Sequence, residues 1–114
     1  MNIVVQGTKE FSDYNIFLRA MGVALSDIED GEFNLYSVGP AQINSFTAEF
    51  CNLAESSLKQ RGIKAKFYKV PPSFIEEKIK DFDYFAFLSL PNQRSSKLVA
   101  SAELEGIDVG IFRY

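Results

Sequence analysis

The residues that could do chemistry in this chain are cations, hydroxyls and carboxamides gathered in three short polar stretches. Each stretch follows an apolar run and precedes a helical pattern. They are Gly7-Thr8-Lys9, then Gly39-Pro40-Ala41-Gln42 with Asn44 just beyond, and Pro91-Asn92-Gln93-Arg94-Ser95-Ser96 followed by Lys97. Glycine lets a backbone turn sharply or approach a ligand closely. The first turn of a helix offers unpaired N–H groups and the positive end of its dipole. Lys9, Arg94 and Lys97 add positive charge, Thr8, Ser95 and Ser96 add hydroxyls, and Asn44 and Asn92 are candidates for contacts to a sugar or base. Such a set suits a small phosphate-bearing ligand. A hydrogen bond to a charged group contributes about 1.5–3 kcal/mol, so two or three would hold micromolar affinity. Each residue type also has an ordinary use: Ser, Thr and Asn cap helices, Gly and Pro make turns, and Lys and Arg decorate surfaces. Only convergence on one rim favours a site.

The elements that would bring the stretches together are legible from periodicity. Ile3-Val4-Val5 is a short unbroken apolar run, the pattern of a strand buried on both faces. Ile16, Phe17, Ala20, Met21, Ala24, Leu25 and Ile28 recur on one helical stripe, which predicts a helix over Asp13 to Ile28 with Ser12 or Asp13 as its cap. Phe33 to Val38 reads as the second strand. A long helix follows, capped by Asn44 or Ser45, with Phe46, Phe50, Leu53, Ala54 and Leu58 inward and Arg61-Gly62 closing it. Ala65 to Val70 is a third strand, and its Lys64, Lys66 and Lys69 mark it as a sheet edge guarded by charge. Ser73 and Glu76 form an S-x-x-E capping box that opens a short helix through Ile79. Phe82 to Leu90 contains the second apolar run, Ser96 to Glu105 a helix, and Ile107 to Phe112 the last strand.

Five alternations of strand and helix imply right-handed crossovers and a mostly parallel five-stranded sheet with helices on both faces. The most apolar strands, the first and fourth, belong at the centre and the lysine-bearing third at an edge. That favours the order 3-2-1-4-5, in which the three polar stretches emerge on one rim at the carboxyl ends of the strands.

Composition narrows the remaining possibilities. The 114 residues form one domain, and a net charge of −3 argues against general nucleic-acid binding. No stretch approaches the roughly 20 apolar residues of a membrane helix, and the start of the chain shows no signal-peptide pattern. The chain has no histidine and one cysteine, Cys51. Ser-His-Asp and Cys-His catalytic groups are therefore excluded, and neither a metal nor another cofactor is expected. Cys51 reads as a small core residue, and a single cysteine fits a reducing cytoplasm. Glu76, Glu77, Asp81 and Asp83 read as a cap and a solvated helix face. Eleven Phe and five Tyr are many for a domain of this size, and the surplus could form a surface for self-association.

The three polar stretches also resemble the SLOG superfamily, a Rossmann-like group of nucleotide-ligand-binding proteins, in particular its small single-domain bacterial and phage members. Those typically follow the first strand with G-[ST]-R-x-[FW], to which Gly7-Thr8-Lys9-Glu10-Phe11 is similar with Lys in place of Arg. Their second strand runs into S-G-G-A-x-G-A-D, where this chain has Ser37-Val38-Gly39-Pro40-Ala41-Gln42-Ile43-Asn44. Pro91 to Ser96 stands where they carry G-x-S-x-G-T. The resemblance implies a Rossmann-like three-layer fold. It also implies a nucleotide-like ligand touching Gly7, Thr8, Lys9, Gly39, Gln42, Asn44, Asn92, Arg94, Ser95, Ser96 and Lys97. Val38, Gln42 and Ser95 replace family glycines, so the glycine-rich loop is degenerate and the pocket narrowed. Three functions follow in order: non-catalytic binding or sensing of such a ligand, in a chain that self-associates; a protein-interaction or assembly module with a closed pocket; and an N-glycosidic hydrolase, for which Arg94 and Glu103 are the available pair.

Overall fold

The computed structural model describes residues 1–114 throughout. Strand β1 spans Asn2–Gly7, β2 Gly31–Gly39, β3 Ile63–Lys69, β4 Tyr84–Ser89 and β5 Asp108–Arg113. Helix α1 spans Tyr14–Leu25, α2 Ala41–Gln60, α3 Pro72–Glu77 and α4 Lys97–Leu104, and a 3-10 turn covers Ile79–Asp81. The strands form one parallel sheet in the order β3-β2-β1-β4-β5. The chain reversal lies between β1 and β4, as the apolar runs predict, and the lysine-rich β3 is an edge.

Alternation along the strands divides the core. Ile3 and Val5 of β1, with Ala86 and Leu88 of β4, point to the side covered by α1 and α2. Val4, Phe85 and Phe87 point to the side covered by α3 and α4. All of these residues are buried. The α1–α2 side is the larger, and Tyr14, Phe17, Phe46 and Phe50 pack there ring against ring.

Several boundaries differ from the sequence expectation, each for a physical reason. Helix α1 stops at Leu25 and not at Ile28, because Ser26 turns the chain; Ile28 is buried from outside the helix. Helix α2 begins at Ala41, three residues before Asn44, with Pro40 at the N-cap. Proline's fixed φ sets the helical entry without any side-chain bond. Asn44 and Ser45 therefore lie inside the helix and cap nothing. The same correction applies to Ser73: Pro71 occupies the N-cap and Pro72 the first turn of α3, with no side-chain cap bond, so the S-x-x-E box does not form. Leu53 is exposed; Ile43 and Thr47 complete the buried face instead. On α2 it is Phe46 and Phe50 that meet Phe17 of α1. Strand β3 starts two residues early, at Ile63.

Candidate functional site at the carboxyl-end rim

The loops after β1, β2 and β4 share the carboxyl-end rim of the sheet. The β1 and β4 loops adjoin directly. The ladder between them continues past β1, with the Thr8 amide donating to the Leu88 carbonyl at 2.9 Å. Side chains then bridge the gap. The Thr8 hydroxyl donates to Gln93 Oε1, which also accepts from the Leu90 amide at 2.9 Å. Gln93 Nε2 donates to the Glu10 carboxylate at 2.7 Å. From the neighbouring strand, Arg113 Nε donates to the Gln93 carbonyl at 3.1 Å. Further along, the Ser96 hydroxyl donates to Gln6 Oε1 at 2.6 Å while capping α4 by accepting from the Val99 amide.

The β2 loop is built differently. Gly39 holds a φ of 99°, a conformation that other residues rarely adopt, and the Gly39–Pro40 peptide is cis. The ladder between β1 and β2 shifts register here, from Val5 opposite Ser37 to Gln6 opposite Gly39. Ser37 is fully buried, and its hydroxyl donates to Asn44 Oδ1 at 2.6 Å. Asn44 is thus turned inward to satisfy a buried hydroxyl. Gln42 is exposed on the first turn of α2, and Val38 packs toward the α3–α4 core. Ile43 of α2 packs directly against Gly7 under the rim. A Cβ on Gly7 would lie 2.7 Å from its Cδ1 and Cγ1 and 3.2 Å from the Leu88 carbonyl oxygen. Gly7 is therefore needed for the packing of α2 on β1.

The expectation that all three helix starts offer free amides needs correcting. Asp13 caps α1 by accepting from the Asn15 and Ile16 amides, and Ser96 caps α4. Of these three helices, only α2 begins without a side-chain cap. Lys9, Asn92, Arg94, Ser95 and Lys97 are all exposed along the rim, and none of these cations enters an ion pair; Lys66–Glu32 on the β3 edge is the one pair in the chain. Arg94 and Glu103 are not brought together. Arg94 precedes α4 and Glu103 lies in its last turn, so the length of the helix, on the order of 9 Å from Lys97 to Glu103, intervenes.

Sequence reasoning missed Gln6, Glu10, Ile43 and Arg113, and read Gln93 only as loop. Their partners lie up to 90 positions away, and no local pattern signals such pairs. None of the four surface hollows is lined by a residue of the three loops. Two adjoin one another at the amino ends of the strands and are lined by Asp27, Asp30, Glu32, Asp83 and Asp108 without a Lys or Arg. No three carboxylates there are placed to hold a metal ion. Cys51 is half-buried against the α1–α2 core, and burial pushes its thiol up to about 11, so it stays protonated and unreactive at neutral pH. No helix is long and apolar enough to cross a membrane.

The sequence matches no protein-family model and no curated protein. Among solved structures, the chain is similar to a universal stress protein from Archaeoglobus fulgidus, with a TM-score of 0.50 and 13% identity over 99% of this chain and 93% of the other. At that identity the likeness concerns the fold, a Rossmann-like α/β sandwich.

Proposed function

We propose that the chain is a non-catalytic binding module that receives a small phosphate-bearing, nucleotide-like ligand on the carboxyl-end rim. What carries this reading is the electrostatics of that rim: the uncapped start of the 20-residue α2 faces it, and Lys9, Arg94 and Lys97 stand there without carboxylate partners. Lys9, Arg94 and Lys97 take the phosphate, the Gly39 to Gln42 turn supplies amides, and Thr8, Asn92, Ser95 and Ser96 supply polar contacts. The likeness of Gly7 to Phe11 and of Ser37 to Asn44 to SLOG proteins supports the same reading and adds a nucleotide as the ligand class. The test is a thermal-shift screen against mononucleotides, cyclic dinucleotides and nicotinamide nucleotides. A ligand at a hundred times its dissociation constant adds about 2.7 kcal/mol of stability. Lys9→Ala and Arg94→Ala should each weaken binding about tenfold, the worth of one charge-assisted bond. Unchanged affinity in both variants would put the ligand elsewhere.

A second reading, an assembly module with a closed pocket, is favoured by a different observation. The rim holds no hollow, whereas β5 is an unpaired edge carrying exposed Ile111 and no lysine, and Leu104 and Tyr114 are exposed as well. Self-association through β5 would pair that edge and cover Ile111. Sedimentation velocity across a hundredfold concentration range separates the two: an oligomer together with no shift from any nucleotide favours assembly.

A further inference from the structure

Gln93 holds its place by an unusual set of contacts for a loop side chain. Its carboxamide oxygen accepts from the Thr8 hydroxyl and the Leu90 amide, and its carboxamide nitrogen donates to Glu10. A backbone N–H can only donate and an ionised carboxylate can only accept, so the orientation of the amide is fixed by its partners. The three groups form a seat with two donors beside one acceptor. That pattern is complementary to any planar edge with an acceptor next to an NH2 group, the primary carboxamide being the simplest.

Apart from the Gln93 side chain, the loop is held by single contacts to its backbone: Arg113 Nε donates to the Gln93 carbonyl at 3.1 Å and the Ser89 hydroxyl to the Leu90 carbonyl at 3.2 Å. Leu90, Pro91, Asn92, Arg94 and Ser95 are exposed, and within the loop the Gln93 amide reaches the Leu90 carbonyl at 3.2 Å. Few buried contacts would be lost if the Gln93 side chain swung out while the Leu90 amide stayed in place. Lys9 and Arg94 are the chain neighbours of Thr8 and Gln93, so both sides of the seat carry a cation for a phosphate on the same ligand. Nothing in the α1, α2 or α4 caps depends on the Gln93 side chain.

We infer that Gln93 is a resident stand-in that occupies a carboxamide-recognising seat at the chain reversal, and that a phosphate-bearing ligand with an amide-type edge displaces it. This rests on the proposed use of the rim and adds the chemistry that selects the ligand. The probes are nicotinamide mononucleotide and nicotinic acid mononucleotide, which share ribose and phosphate and differ in carboxamide against carboxylate. Titration calorimetry on the whole chain should show Gln93→Ala binding the amide probe at least about tenfold more tightly than the parent, since a competing internal ligand is gone. Gln93→Glu keeps the volume but sets a carboxylate against Glu10, so it should release the loop and give the same gain. The acid probe should bind Gln93→Ala at least about tenfold more weakly than the amide, and adding Glu10→Gln should abolish that preference. If the parent and both Gln93 variants bind the amide probe equally, the stand-in role is overturned while rim binding survives. If neither probe binds any of the proteins at millimolar concentration, the stand-in role is overturned, and the thermal-shift screen decides rim binding separately.

Discussion

Substituting Gly7 by alanine decides what that glycine is for. Its φ is not among the positive values, which belong to Gly31, Gly39, Gly62 and Gly106, so the backbone at residue 7 accepts any residue. If only backbone freedom mattered, Gly7→Ala would stabilise the chain by about 0.4–1 kcal/mol through loss of unfolded-state entropy. The packing says otherwise. The new Cβ would meet Ile43 Cδ1 and Cγ1 at 2.7 Å and the Leu88 carbonyl oxygen at 3.2 Å, and both residues are fully buried. Neither neighbour has solvent to move into. Overpacking of this kind costs about 1–3 kcal/mol. Set against the entropic gain, a net loss on the order of 0.5–2 kcal/mol is expected, read as a lowered urea midpoint with unchanged slope.

The partner substitution makes the reasoning refutable. Ile43→Ala alone should cost about 2–5 kcal/mol by opening a cavity under the rim. In that background the added methyl at residue 7 has room, and Gly7→Ala should become neutral or stabilising. The double-mutant cycle should then give a coupling of about 1–3 kcal/mol. Equal losses from Gly7→Ala in both backgrounds would refute the contact. A stabilised single variant would show that Ile43 yields and that the rim floor is softer than its burial implies.

Three further outcomes follow from the caps and the buried hydroxyls and thiol. Asp13→Ala removes the acceptor for two helix amides and should cost about 1 kcal/mol in urea melts, whereas Ser45→Ala, inside α2, should leave the midpoint unchanged. Stability should fall as pH rises from about 9 toward 11. The Cys51 thiol is pushed up to about 11 by burial, so the unfolded chain loses that proton first, and the stability present below the unfolded value is lost through this window. Tyr14 and Tyr84, both raised first by burial, act with the same sign at higher pH, so Cys51→Ala should remove only the earlier part of the decline. A flat stability profile from about pH 8 to pH 10.5 would contradict the burial of all three.

What the sequence showed well was whatever a local pattern can carry. Ile3-Val4-Val5 and Phe85-Ala86-Phe87-Leu88 are apolar without interruption because each strand is covered on both faces, and that placed β1 and β4 at the centre. Lys64, Lys66 and Lys69 marked β3 as an edge because only an edge lets such side chains reach water. Caps were read less well. Ser73 and Glu76 have the right spacing, but the neighbouring Pro71-Pro72 fixes the helix start two residues earlier, where no side chain is required. Asn44 looked like a cap because asparagine often is one; it is claimed instead by the buried Ser37 hydroxyl seven residues before it. The rim itself was the least legible part. Thr8 to Gln93 and Gln6 to Ser96 are contacts 85 and 90 positions apart, and polar residues at such separations carry no periodicity.

If the rim binds a ligand as proposed, those long-range pairs change what it selects. A glycine-rich phosphate cradle presents bare amides, and any anion of the right size can use them. Here Thr8, Gln6, Ser96 and Gln93 are already satisfied by one another, so a ligand entering the β1–β4 gap must break bonds before making its own. At about 0.5–1.5 kcal/mol net for each, releasing the three bonds of the Gln93 carboxamide would weaken an unmatched ligand by one to three orders of magnitude. A ligand that restores the same three bonds loses nothing at that step, and keeps whatever Lys9, Arg94 and Lys97 contribute. Inorganic phosphate, with charge but no amide edge, should therefore bind the rim poorly even though the cations are free. On the proposed use of the rim, the Gln93 contacts exchange general anion affinity for a requirement that the ligand match an amide, and selection by hydrogen-bond pattern comes before selection by charge.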